Sequence, residues 1–187
     1  ASTTREYQLL LDRAVNLVRD RFMFYHVSIF LVDDLGEYAV LRSATGDAGR
    51  IMLEQGHKLK LGELGMVENV AATGLPRIAL DVGEESIHYR NPLLPATRSE
   101  MALPLKIGSK VIGVLDVQSE ERDAFTDEDV VIMQILADQL AVAIENARLF
   151  QELQESLRQV EGLYGQYNQQ SWQRIIETNR IAGYRYE

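Results

Sequence analysis

Apolar positions along this chain switch between two periods, and the switches mark the elements. Over residues 5–24, Tyr7, Leu11, Ala14, Val18 and Phe22 recur at steps of four and three, and Leu10 and Leu17 widen the stripe. That spacing predicts an amphipathic helix laid over a sheet. The period then drops to two. Val27, Ile29 and Leu31 point one way and Phe30 and Val32 the other, which predicts a strand over 26–33 buried on both faces. A turn around Gly36 leads to a second strand over 38–44. Residues 45–58 hold Gly46, Gly49 and Gly56 and read as loop with a short helix or strand; Leu59 and Leu61 mark a short strand. Met66, Val67, Val70 and Ala71 predict a short helix over 64–73 that Gly74 stops. A strand follows over 77–80, and 81–97 is the least regular stretch.

The last third has the clearest punctuation. Apolar runs at 98–107 and 110–117 flank Gly108-Ser109, a hairpin signal. Pro104 cannot donate to a ladder, and Gly113 inside a strand marks a bulge or a close backbone approach. Thr126 is a good N-cap, Asp129 can complete a capping box, and Phe125 with Val130 can form a hydrophobic staple. A long helix is predicted from there, with Ile132, Ile135, Leu136, Leu140, Ile144 and Ala147 on one broad face. Past it, Phe150, Leu153, Leu157, Val160, Tyr164 and Tyr167 step by three and four as in a coiled-coil seam, which predicts pairing with a second copy. Gly162 and Gly165 offer a place for a break, and 172–187 reads as the start of a further element.

These landmarks carry a resemblance. Pro104-Leu105, Val111-Ile112-Gly113-Val114-Leu115-Asp116-Val117, Phe125-Thr126-x-x-Asp129 and Ala143-Ile144-Glu145-Asn146-Ala147-Arg148-Leu149 resemble the C-terminal half of a GAF domain. Leu61-Gly62, Gly65-Met66-Val67, Val70-Ala71-x-Thr73-Gly74-x-Pro76, Asp81-Val82 and Thr97-Arg98-Ser99-Glu100 are similar to its earlier landmarks. The resemblance implies an α+β fold: a GAF/PAS-like central antiparallel sheet of five or six strands with helices on both faces. The N-terminal helix and a long C-terminal helix should cover one face, and residues 45–100 should cover the other and enclose any pocket. Strand 111–117 should lie beside 27–33. Residues 1–150 then form the domain, and 151–187 a coiled-coil-like linker and tail.

Composition narrows the function. The chain has 187 residues, 46% of them apolar, enough for a packed core. A net charge of −9 disfavours binding to nucleic acid or to anionic lipid. No uninterrupted apolar run approaches the ~20 residues of a membrane span. There is no cysteine, which excludes disulfides, thiolate catalysis and thioether-linked chromophores. A chain that begins at Ala1, with no signal peptide, reads as a piece of a longer cytoplasmic protein.

Catalytic chemistry is hard to place. His26, His57 and His88 show no metal-ligand spacing, and no nucleophile elbow or phosphate-binding loop is present. The resemblance sharpens this. Bilin-binding and free methionine sulfoxide reductase members of the family use cysteines. Cyclic-nucleotide-binding members carry an Asn-Lys pair and a Phe-x-x-x-Asp-Glu pattern, whereas Phe125-x-x-x-Asp129 is followed here by Val130. The resemblance implies that His88 and Tyr89, in the irregular stretch, help wall a ligand pocket. Arg98 and Ser99 can hold a carboxylate or phosphate, with an ion pair to Glu100 or Asp81 as the plainer role of Arg98. Phe30 either meets the ligand or, with Met101 or Tyr89, fills the pocket. The expected function is a non-catalytic sensory domain that binds a small molecule, dimerises through its terminal helices and relays the change to an effector domain. A ligand-free dimerisation scaffold and an enzyme or chromoprotein with a noncovalent cofactor are the alternatives.

Overall fold

The computed structural model describes residues 2–82 and 91–182. The chain divides into two compact units, Ala1–Ala147 and Arg148–Glu187. Helix α1 spans Ser2–Phe22, followed by β1 (His26–Val32), β2 (Tyr38–Ala44), α2 (Gly46–Glu54), β3 (Lys58–Lys60), α3 (Met66–Thr73), β4 (Arg77–Ala79), β5 (Ser99–Ile107), β6 (Lys110–Ser119) and α4 (Asp127–Ala182). The strands form a six-stranded antiparallel sheet in the order β3-β2-β1-β6-β5-β4. As expected, β1 and β6 are neighbours at its centre, with Phe30 opposite Val114 and Ile29 opposite Leu115.

Each face of the sheet carries its own core. Val27 and Ile29 of β1, Met101, Leu103 and Leu105 of β5, and Leu115 and Val117 of β6 pack against α1 and α4. Phe30, Ala102 and Val114, on the alternate positions of the same strands, pack against Met52 of α2 and Met66, Val67, Val70 and Ala71 of α3. The layer arrangement is the expected one, and it follows from strands that are apolar on both faces.

Two helix faces differ from the periodicity reading. In α1 the buried line is Leu11, Val15 and Val18, while Leu17 is 69% exposed. In α4 the side chains that reach the core are Met133, Ala137, Ala141 and Ile144, while Ile132 lies outside and Ile135 is 61% exposed. Each residue turns a helix by about 100°, so a choice one position off the buried line rotates the whole face. Both helices are apolar over more than the sheet covers. Val131, Ile132, Ile135 and Val142 therefore form a second, exposed apolar strip on α4. By length and composition α4 also passes for a membrane span, with a mean hydropathy of 1.4 in its most apolar window. That window mean tolerates the scattered charges that break any uninterrupted run.

Helix α4 begins as its sequence demands. The Thr126 backbone N–H donates to Asp129 Oδ2 at 2.8 Å, and the Asp129 N–H donates to Thr126 Oγ1 at 3.2 Å. Phe125 is buried and Val130 packs beside it in the same core. Replacing Thr126 by Ala should cost about 1 kcal/mol, read as a lower urea midpoint with an unchanged slope. The helix passes through Gly162 and Gly165 without a break and on to Ala182. A penalty of about 1 kcal/mol per glycine is local and is outweighed by the helix formers around it. The stretch read as the start of a further element is, up to Ala182, the continuation of α4.

Candidate functional site

The site is built by period two acting on polar residues. On β1 the positions that alternate with Val27 and Ile29 are His26, Ser28 and Phe30. On β5 they include Arg98, just before the strand, and Glu100. On β6 they are Asp116 and Gln118. The ladder sets these side by side: His26 opposite Gln118, Gln118 opposite Glu100, and Ser28 opposite Asp116. All of them line a cavity of about 520 Å³ between the sheet and the layer of α2, α3 and the loops. Apolar side chains, among them Phe30, Met52, Met66, Val67 and Leu94, line it too. Glu68 reaches the cavity from α3, beside Gly65, where a Cβ would come within 2.0 Å of the Glu68 carboxylate.

Three carboxylates thus converge in a place where water is scarce. Glu68, Glu100 and Asp116 are only 6%, 4% and 2% exposed. Ser28 Oγ donates to Asp116 Oδ2 at 3.1 Å and Gln118 Nε2 donates to the same oxygen at 2.8 Å. Gln118 is itself held by Thr97, whose hydroxyl donates to Gln118 Oε1 at 2.6 Å. Asp116 Oδ1 has no hydrogen-bond partner. Burial pushes the Glu100 carboxyl up to about 7, and the Asp116 contact only partly offsets it. Burial, then the Glu100 charge, holds Asp116 well above the usual carboxylate range. Glu68 is raised as well, by burial first. His26 is driven the other way by burial, down to about 4, so it is neutral at physiological pH. Among the described residues no group of three or more His, Cys, Asp or Glu is placed to hold a metal ion.

The fold and the sequence agree on ancestry. Residues 4–145 match the GAF domain family. The chain belongs to that family. A comparison with curated proteins finds no match. Among solved structures, this GAF domain is similar to that of a phosphoenolpyruvate-protein phosphotransferase from Coxiella burnetii, with a TM-score of 0.69 and 22% identity over 81% of this chain and 93% of that one. It is similar to the free methionine-R-sulfoxide reductase of Neisseria meningitidis in complex with its substrate, with a TM-score of 0.65 and 24% identity over 76% and 80% of the two chains. It is also similar to a GAF domain/HD domain protein from Geobacter sulfurreducens, with a TM-score of 0.63 and 16% identity over 76% and 94%. At these identities the likeness shows the fold.

The residues singled out from sequence fall in three places. Phe30 and Arg98 line the GAF cavity. Phe30 meets the His57 ring edge-on, with centroids 6.0 Å apart, and leaves the cavity open rather than filling it. Met101, the other proposed filler, is on the opposite face with the α1–α4 core. Ser99 does not line the cavity: it alternates with Glu100, and its hydroxyl donates to the Glu121 carbonyl at 2.7 Å. His88 and Tyr89 lie outside the described residues. Asp81, offered as a partner for Arg98, pairs with Arg122 at 3.0 Å. The sequence reading missed His26, Ser28, Glu68, Asp116 and Gln118, and treated Glu100 only as an ion-pair partner. The signal was present in the strands. Each polar residue sits in the same phase as Phe30 or Val114, opposite the residues facing α1 and α4.

Proposed function

We propose that this GAF domain is a non-catalytic sensory domain that holds a small molecule in the cavity between its sheet and α3. The observation that carries the reading is the cavity itself: about 520 Å³ with an apolar wall and a polar wall of convergent carboxylates, amide and hydroxyl. A scaffold that only dimerises would have no use for buried acids. A thiol-dependent reduction has no nucleophile in a chain without cysteine. The signal leaves through helices. Phe150, Leu153, Leu157, Val160, Tyr164 and Tyr167 are all exposed at heptad spacing, an apolar seam that a second copy would cover. In a longer cytoplasmic signalling protein that seam would pass a change in the domain to an effector.

Native mass spectrometry of the purified chain tests both parts. A dimer is expected, with each chain carrying a mass excess that is lost under denaturing conditions. A monomer at high concentration would overturn the seam. Bare chains from several expression hosts, with no cavity resonance shifted by added metabolites, would overturn the ligand.

A further inference from the structure

The polar wall of the cavity is incomplete in one specific way. Asp116 Oδ2 receives two donors, while Oδ1, buried on the same carboxylate, receives none. An unpaired buried acceptor is costly, and a charged one more so. The neighbours that could neutralise it are few. His26, the nearest base on β1, is held neutral by its burial. Arg122 is engaged with Asp81. A water can give one hydrogen bond to Oδ1 but no positive charge. A divalent metal would need ligand geometry that the described residues lack. What the site lacks is a compact cation with several N–H donors.

We propose that the cavity takes a small molecule bearing a protonated amine, whose ammonium sits against Asp116 and Glu100 while its apolar body packs on Phe30, Met66 and Leu94. This rests on the reading that the cavity holds a ligand, and names its chemical class. An ammonium has three donors. Asp116 Oδ1, Glu100 and Glu68 supply acceptors from β6, β5 and α3, so the three directions of the group are met from three elements. Charge-assisted hydrogen bonds in a desolvated site are the strong kind. A neutral alcohol of the same shape would leave the acids as they are.

Binding then has a proton signature. In the empty cavity the adjacent acids Glu100 and Asp116 share a proton, because two buried carboxylates side by side do not both ionise. An arriving ammonium replaces that proton as the counter-charge. The other groups facing the acids are His26 from β1, Glu68 from α3 and Arg98 from the start of β5, with His57, Asp81 and Arg122 on the cavity wall. The low pKa of His26 keeps it silent above pH 6, so the released proton comes from the acid pair. Affinity for the amine should rise between pH 6 and pH 8.

The test uses matched pairs on the full chain: isoamylamine against isoamyl alcohol, 2-phenylethylamine against 2-phenylethanol, and cadaverine against 1,5-pentanediol. Each is titrated by NMR to about 10 mM, the range expected for fragments of this size. The amine of at least one pair should bind about tenfold or more tightly than its alcohol. Calorimetry in buffers of different ionisation enthalpy should show about one proton released per amine bound. Asp116→Asn should abolish the preference, and Glu100→Gln should weaken it and remove the proton release. Both variants lose a buried charge, so their folds should survive; a thermal melt confirms this. If the alcohols bind as tightly as the amines, the cavity holds ligands but the amine assignment falls. If Asp116→Asn is folded and keeps the preference, the assignment also falls. If no member of any pair shifts a cavity resonance, the ligand reading falls with it.

Discussion

Glu100→Gln should be more stable than the parent chain by about 2 kcal/mol at pH 8, and the gain should vanish near pH 4. The Glu100 carboxyl is raised from 4.5 to about 7, chiefly by burial. Between those values the folded chain binds more protons than the unfolded one. Stability from this group is therefore complete below pH 4.5, falls as pH rises, and is lost above pH 7. His26 has the opposite sign. Its ring is lowered from 6.5 to about 4, so the unfolded chain binds more protons over that interval. Stability from His26 is present above pH 6.5 and is lost as pH falls toward 4. The two slopes oppose each other between pH 4.5 and 6.5, and the parent should be nearly flat there. In Glu100→Gln only the His26 slope remains: stability should climb from pH 4 to pH 6.5 and then level off. Urea unfolding across this range measures both curves. A variant less stable than the parent at pH 8 would mean that the carboxylate is stabilised by its surroundings rather than strained by them.

A gain of that kind from removing one side chain marks a place where stability has been given up. Packing alone would fill the positions of Glu100 and Asp116 with residues like Ala102 and Val114, their neighbours on the same sheet face. Acids held in such a place carry a cost in the empty state that a cationic ligand would relieve. The same physics links the stability and binding experiments. The charge that strains the empty domain is the charge that would select an amine over its alcohol.

How much of this could be read in advance depended on which pattern did the informing. The strands were legible because Val27, Ile29, Leu103, Leu105, Leu115 and Val117 repeat every second residue, and the start of α4 because Thr126 and Asp129 have few other uses at that spacing. The buried helix faces were not. Val131, Ile132, Ile135 and Val142 are as apolar as Met133 and Ile144, and nothing local says which strip meets the sheet. The site was half legible. Attention went to the irregular stretch with His88 and Tyr89, and to Ser99, whose hydroxyl turned out to serve the Glu121 carbonyl. Asp116 was quoted as part of a family motif without asking which face it takes. Its period-two phase with Val114 answers that. Convergence of Glu68 with it needs the tertiary packing of α3 on the sheet, which no strand pattern contains.

The centre of the sheet sets the second large effect. Gly113→Ala should destabilise the domain by about 3 kcal/mol, the upper end for overpacking a core. Gly113 stands between Leu31 of β1 and Leu105 of β5 in the ladder. A Cβ there would lie 2.3 Å from the Phe30 carbonyl oxygen and 2.8 Å from Leu31 Cδ2. The first contact is with backbone, so no side-chain rotation relieves it. The strands must part instead. The consequence reaches the cavity, because the β1–β6 ladder places Ser28 on Asp116 and Phe30 on the cavity wall. Chemical denaturation should show a lower urea midpoint with little change in slope. Amide chemical shifts of Ser28, Phe30 and Asp116 should move together in the folded variant. A variant with parent stability would mean that β1 and β6 can separate at that point freely, and the close approach would then not be what demands glycine at 113.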